Sequence, residues 1–222
     1  MGIVSGVLDL LFPPRCVFCY KFLKKDEREI CARCKDDLPY CEGPEAKQNG
    51  EFYSSCISPL YYRDHVRDSI LRFKFKERTN YVACYGKILA HCVTEHFDGK
   101  YDLITWVPIS KKRLKTRGYD QSMLLAYATA LELSDVAVQT LEKVRDVPAQ
   151  SSLEKQDERR ANVSGVYSVP DPELVSGKRI LLIDDIVTTG ATLSECARTL
   201  LLAGAEEVMC ATIARTEKMG AV

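Results

Sequence analysis

Residues 180–192 read Ile-Leu-Leu-Ile-Asp-Asp-Ile-Val-Thr-Thr-Gly-Ala-Thr, and they constrain the fold more than any other segment. The run 178–184 is apolar almost without interruption until its acids, so it fits a strand covered on both faces in a parallel sheet. A short loop of hydroxyl residues and a glycine follows. A helix is expected over 191–203, stopped at Gly204, and the next strand over 208–214. Upstream, Val66, Ile70, Phe73 and Phe75 fall at helical spacing, and 82–97 reads as a second helix. A strand is expected over 101–107, ended by Pro108, then a helix over 119–133 and a strand over 136–140. Strands alternating with helices imply a parallel α/β sheet flanked by helices. Ligands of such sheets are received beyond the carboxyl ends of the strands. That rule points to the residues after Val107 and after Asp184.

The front of the chain follows a different logic. Cys16-Val-Phe-Cys19 is followed by Cys31-Ala-Arg-Cys34, and six of the ten cysteines lie in the first 56 residues. The N-terminal apolar stretch has no basic flank and is interrupted by Asp9, which argues against a secretory signal and for a reducing cytosol. There, paired cysteines read as metal ligands, with free thiols or disulfides as the alternative. Four thiolates leave no open position on zinc, so a structural role is expected for Cys16, Cys19, Cys31 and Cys34. Cys41 and Cys56 have no CxxC partner and are either buried thiols or remnants of a second metal site. A division into a zinc-ribbon-like module, 1–59, and an α/β domain, 60–222, follows.

Composition narrows the class. The 222 residues are 46% apolar and 28% charged with no net charge, which excludes a disordered chain. No apolar run is long enough to span a membrane. The charge is unevenly spread: residues 60–120 carry 13 basic and 7 acidic side chains, the stretch best suited to an anionic ligand.

The residues after Asp184 suit a phosphorylated sugar. Asp184 and Asp185 can accept hydrogen bonds from vicinal hydroxyls. Backbone N–H groups at the helix start favour a phosphate, and Gly190 permits close approach. Thr188, Thr189 and Thr192 add hydroxyl donors. After the 101–107 strand, Lys111, Lys112, Arg113, Lys115 and Arg117 place five cations in seven residues. They suit a pyrophosphate, with Lys111 and Arg117 as preferred contacts; a solvated basic loop and a DNA-backbone contact are the alternatives. The polar segment 148–162 reads as a surface helix of mixed charge.

Residues 180–192 resemble the phosphoribosyl-pyrophosphate loop of type I phosphoribosyltransferases. The resemblance implies that Asp184 and Asp185 hold the ribose hydroxyls and that Thr188, Thr189, Gly190, Ala191 and Thr192 cradle the 5′-phosphate, with Mg²⁺ accompanying the ligand and the polar segment 148–162 closing over the site. Purine-salvage members carry a loop aspartate four residues after the first acid; here that position is Thr188, so no loop base is expected. The order of parts (Leu11-Phe-Pro-Pro-Arg-Cys16, the two knuckles, Arg113–Gln121, Gln150…Asn162, and the acid loop) resembles the ComF family end to end. Members join a cysteine-rich zinc module to a phosphoribosyltransferase-type domain. They are associated with natural competence, handling of single-stranded DNA and a competence helicase. Many carry a second cysteine set where this chain has only Cys41 and Cys56, so one zinc is expected. Two functions follow as expectations: a Mg²⁺-dependent phosphoribosyltransferase, or a non-catalytic sugar-phosphate or single-stranded DNA module.

Overall fold

The computed structural model describes residues 13–76, 78–145 and 165–217. In chain order its helices are α1 (Ala32–Asp37), α2 (Asp64–Phe75), α3 (Val82–Phe97), α4 (Lys111–Arg117), α5 (Gln121–Glu132) and α6 (Ala191–Leu202). Its strands are β1 (Lys47–Gln48), β2 (Ser55–Ile57), β3 (Leu60–Tyr61), β4 (Leu103–Trp106), β5 (Glu142–Lys143), β6 (Tyr167–Ser168), β7 (Arg179–Val187) and β8 (Glu207–Arg215).

The main sheet has the order β1-β2-β8-β7-β4, with β3 also pairing β8; β1 is antiparallel and the other pairings are parallel. β7, flanked by β8 and β4, is apolar on both sides for the reason the sequence suggests. Leu181 and Ile183 pack into one core layer, with α2, α3 and α5. Ile180 and Leu182 pack into the other, with α6. The expected parallel α/β fold is therefore the observed one, with helices on both faces.

Four details differ from the sequence reading. First, β7 does not stop at its acids but runs to Val187, because β8 continues beside it and pairs with Ile186 and Val187. Second, 136–140 forms only an isolated bridge, Ala137 with Ile104. The Thr105 hydroxyl accepts the Thr140 N–H at 3.3 Å, so a side chain stands where a ladder bond would continue. Third, the basic stretch is a helix rather than a loop: Ser110 caps α4 through Arg113 N, and Gly118 ends it at φ 80°. Fourth, Phe75 is 63% exposed at the end of α2. The expected closing segment, 148–162, lies outside the described residues.

Residues on both sides of position 59 share the sheet. β2 pairs with β8 at 209–211 and β3 with β8 at 214–215, and a Ser58–Thr212 hydroxyl bond of 2.7 Å bridges the gap. The cysteine module is also docked rather than tethered. Phe18, fully buried between Cys16 and Cys19, sits 6.1 Å from the Tyr85 ring. Ser69 donates to the Val17 carbonyl at 2.6 Å, and Arg72 donates to the Val17 and Phe18 carbonyls. Truncating Phe18 opens a cavity in this joint. Phe18→Ala is expected to cost about 3–5 kcal/mol, read as a lower urea midpoint at unchanged slope; a change under about 1 kcal/mol would mean that the joint carries little of the stability.

Candidate functional site

The acid pair lies near the carboxyl end of β7, where side chains of α2 and α5 reach it. Asp184 is partly buried. Its Oδ1 accepts from Ser122 Oγ of α5 at 2.7 Å and from the Asp185 N–H at 2.9 Å. Burial, then the charge of Asp185, pushes the Asp184 carboxyl up to about 7, with the Ser122 bond acting the other way. Asp185 is paired differently. Its Oδ2 stands 2.8 Å from Lys74 Nζ of α2, and both side chains are largely buried, at 13% and 19% exposure. Neither Lys74 nor Ser122 emerged from the sequence; the only signal was the basic excess of residues 60–120.

The loop after β7 is shaped by Gly190. This residue has φ +78°, a region costly for residues with a Cβ, and a Cβ there would lie 2.6 Å from the Tyr53 hydroxyl. Tyr53 itself is buried, and a Cβ on Gly50 would strike its ring. The ring thus slots between two glycines beneath the loop. Burial raises the Tyr53 phenol, which stays protonated at neutral pH. The N-cap residue of α6, Gly190, has no side chain to cap the helix, and the Ala191 N–H donates to Thr189 Oγ1 at 3.4 Å. Thr188 and Thr189 are exposed; Ala191 and Thr192 are half-buried.

Of the two preferred cations, the structure brings one to the acids. Arg117 is half-buried, lies 4.9 Å over the Phe75 ring and donates to Gln121 Oε1 at 2.8 Å. Burial lowers its pKa, against the attraction of the Asp185 charge. Exposed Phe75 is therefore a platform for a guanidinium. Beside it, Gln121 Nε2 is buried without a hydrogen-bond partner. Lys111 lies exposed in the first turn of α4. Asp120 fastens this region to the sheet: one carboxylate oxygen accepts from Ile109 N at 3.0 Å and the other from Met123 N at 3.1 Å.

The four knuckle cysteines converge. The sulfurs of Cys16, Cys19, Cys31 and Cys34 all lie within 4.8 Å of one another, and those of Cys19 and Cys31 are 3.6 Å apart. Tetrahedral zinc–thiolate bonds of about 2.3 Å require sulfurs about 3.8 Å apart, so the cluster fits a structural zinc ion. Among the described residues it is the only group of three or more such ligands this close. Cys56 is fully buried in the sheet, and Cys41 is half-buried.

Fold and site together define a phosphoribosyltransferase-type α/β protein with a zinc ribbon at its front. Comparison with known proteins agrees. The phosphoribosyl transferase domain family matches residues 120–220, and the double zinc ribbon domain family matches residues 7–56. The chain is 34% identical to the DNA utilization protein YhgH of Salmonella typhimurium, over 93% of this chain and 99% of that one. It is 26% identical to competence protein F of Haemophilus influenzae, over 90% and 96%, and 25% identical to competence protein ComFC of Bacillus subtilis, over 82% of each. A solved allosteric regulatory enzyme of purine biosynthesis aligns at TM-score 0.43 and 22% identity, over 63% of this chain and 29% of that one. The chain belongs to the ComF family. Among the described residues, no helix is long and apolar enough to cross a membrane.

Two outcomes are expected. Asp184 binds protons more tightly folded than unfolded, so its contribution to stability falls as pH rises from about 4 to about 7. Asp184→Asn removes that loss and keeps an oxygen for Ser122. The variant's melting temperature relative to wild type should therefore rise by about 2 °C or more between pH 4 and pH 8; a constant difference would mean that Asp184 titrates normally. Cys31→Ser should release zinc, with metal per chain falling from one toward zero by elemental analysis; retained stoichiometry would remove Cys31 from the site.

Proposed function

We propose that this protein binds phosphoribosyl pyrophosphate with Mg²⁺ at the carboxyl end of β7 and transfers the phosphoribosyl group to an acceptor. The observation that carries the reading is the placement, around one strand end, of two carboxylates, a helix start with glycine at its N-cap and a half-buried guanidinium that feels the Asp185 charge. Asp184 and Asp185 accept hydrogen bonds from the ribose hydroxyls. The amides around Gly190, Ala191 and Thr192 hold the 5′-phosphate, with Thr188 and Thr189 adding hydroxyl donors. Arg117 faces the pyrophosphate side, and Lys111 reaches the same ligand from the rim.

The donor set bears on the metal. Mg²⁺ prefers six oxygens and usually keeps waters and substrate phosphates alongside one or two carboxylates. This site offers two carboxylates, each already partnered. They suit a metal held mainly by the ligand. Mg²⁺ held there would supply positive charge opposite the pyrophosphate leaving group. The chain's own part is to orient the sugar and donate to its phosphates, which lowers the barrier by positioning and charge stabilisation. The bond from the anomeric carbon to the pyrophosphate oxygen breaks, and a bond from that carbon to the acceptor forms. Thr188 stands where a loop base would be, so the acceptor's proton leaves to solvent or to the departing group.

Isothermal titration with phosphoribosyl pyrophosphate and Mg²⁺ tests the binding step. Binding is expected in wild type and its loss, by at least about 100-fold, in the folded Asp184→Asn/Asp185→Asn variant. No heat with wild type at millimolar ligand, or equal affinity in the variant, would overturn the reading. Acceptor-dependent release of pyrophosphate separates a transferase from a binding module.

A second reading rests on a separate observation and on the names of the relatives, which concern competence and DNA utilization. A groove of about 330 Å³ is lined by Pro14, Arg15, Tyr20, Arg78 and Tyr81. The Arg15 guanidinium lies 4.7 Å over Tyr20 and 3.9 Å over Phe22, and Arg78 donates to the Tyr20 hydroxyl at 2.7 Å. Cations interleaved with aromatic rings suit single-stranded nucleic acid. In this reading the ribbon presents single-stranded DNA to a competence helicase in the cytoplasm. Affinity for an oligonucleotide should fall steeply with salt, and Arg15→Ala/Arg78→Ala should weaken it about tenfold; salt-insensitive or undetectable binding would remove this reading.

A further inference from the structure

The acid pair is not symmetrical, and Lys74 is the reason. It comes from α2, outside the 120–220 segment that matches the phosphoribosyl transferase domain. Its ammonium is 2.8 Å from Asp185 Oδ2, an oxygen on which a divalent ion would compete with it. The placement is built. The preceding residue, Phe73, is buried in the core, and its carbonyl accepts from the Tyr119 hydroxyl. Two residues before Lys74, Arg72 grips the carbonyls of Val17 and Phe18 in the ribbon. Lys74 is thus held on α2 between the zinc ribbon and the α4–α5 turn. Of the other charged groups around the acids, Asp120 caps α5, Arg117 bonds Gln121, and Asp184 accepts from Ser122.

We propose that Lys74 is a resident counter-ion that keeps the free protein from binding a divalent cation at Asp184 and Asp185, so that the metal enters only in company with the phosphorylated sugar. Two adjacent carboxylates would otherwise attract Mg²⁺ from solution. An ammonium already at contact distance repels a second cation and occupies one of its oxygens. A ligand that carries its own phosphates supplies the missing oxygens, so its metal does not need to displace Lys74 unaided. The site is thereby selective for the metal–ligand complex over free metal. The inference rests on the phosphoribosyl pyrophosphate reading only for the identity of that carrier.

Mn²⁺ is the probe, followed by the loss of its free six-line electron paramagnetic resonance signal, with the zinc-loaded full chain and no sugar present. Wild type and Lys74→Arg are expected to leave the signal intact at concentrations where Lys74→Gln depresses it, a gain in affinity of at least about tenfold. Adding Asp185→Asn to Lys74→Gln should abolish the gain. Lys74→Met, which keeps the apolar stem without the charge, provides the same contrast should the glutamine variant fail to fold. Equal Mn²⁺ uptake by wild type and the neutral variants would overturn the proposal. Calorimetry of wild type with phosphoribosyl pyrophosphate and Mg²⁺ runs beside it. Silence there defeats the sugar-phosphate reading, while the Mn²⁺ contrast still decides the role of Lys74.

Discussion

β7 is hydrogen-bonded on both sides, to β4 and to β8, and its register decides where Asp184 and Asp185 stand. Pairing of Ile186 and Val187 with Ala214 and Arg215 carries the strand past the acids, so both carboxylates are presented by ladder-held backbone rather than by a loose turn. That rigidity matters because the groups around them come from distant parts of the chain. Lys74 arrives from α2, Ser122 and Arg117 from α5 and α4, and Tyr53 from the segment before β2. Each has a fixed target because β7 is fixed.

The zinc ribbon takes part in the same framework. Its knuckle carbonyls at Val17 and Phe18 are held by Arg72, on the helix that delivers Lys74. Residues 55–57 and 60–61 both lengthen the sheet along β8. The four-cysteine cluster at the front and the acid pair at the end of β7 therefore share α2 as a common support. A module of this size buries too little surface to be secure alone, and zinc adds stability on the order of 10 kcal/mol to small modules of this kind. The chain matches a double zinc ribbon, yet one four-thiolate cluster is present among the described residues. Cys56, one of the two further cysteines at the front of the chain, is buried in the core of the sheet.

Much of this was legible in residue order. The apolar run ending in two acids, the glycine before a helix and the paired CxxC knuckles are local patterns, and local geometry follows from them. The helix over Val82–Phe97 was readable for the same reason. The basic segment was less so. Five cations in seven residues look like a loop because like charges repel, but the Ser110 cap and the Gly118 stop close it as a helix. Residues 136–140 carry strand-like residues, and only the Thr105 hydroxyl, brought across the sheet, explains why the ladder stops.

Order along the chain by itself determined the parallel α/β class, the metal-ligand set and the strand–acid–glycine–helix element, because each is built from short patterns, a strand, a turn or a CxxC knuckle, that carry their own local signal. Tertiary structure alone decided that Asp185 is paired with Lys74, 111 positions away, that Ser122 holds Asp184, and that Tyr53 packs beneath Gly190. Such pairings depend on how helices settle on a twisted sheet, a matter of packing over many residues at once, and no spacing in the sequence encodes them.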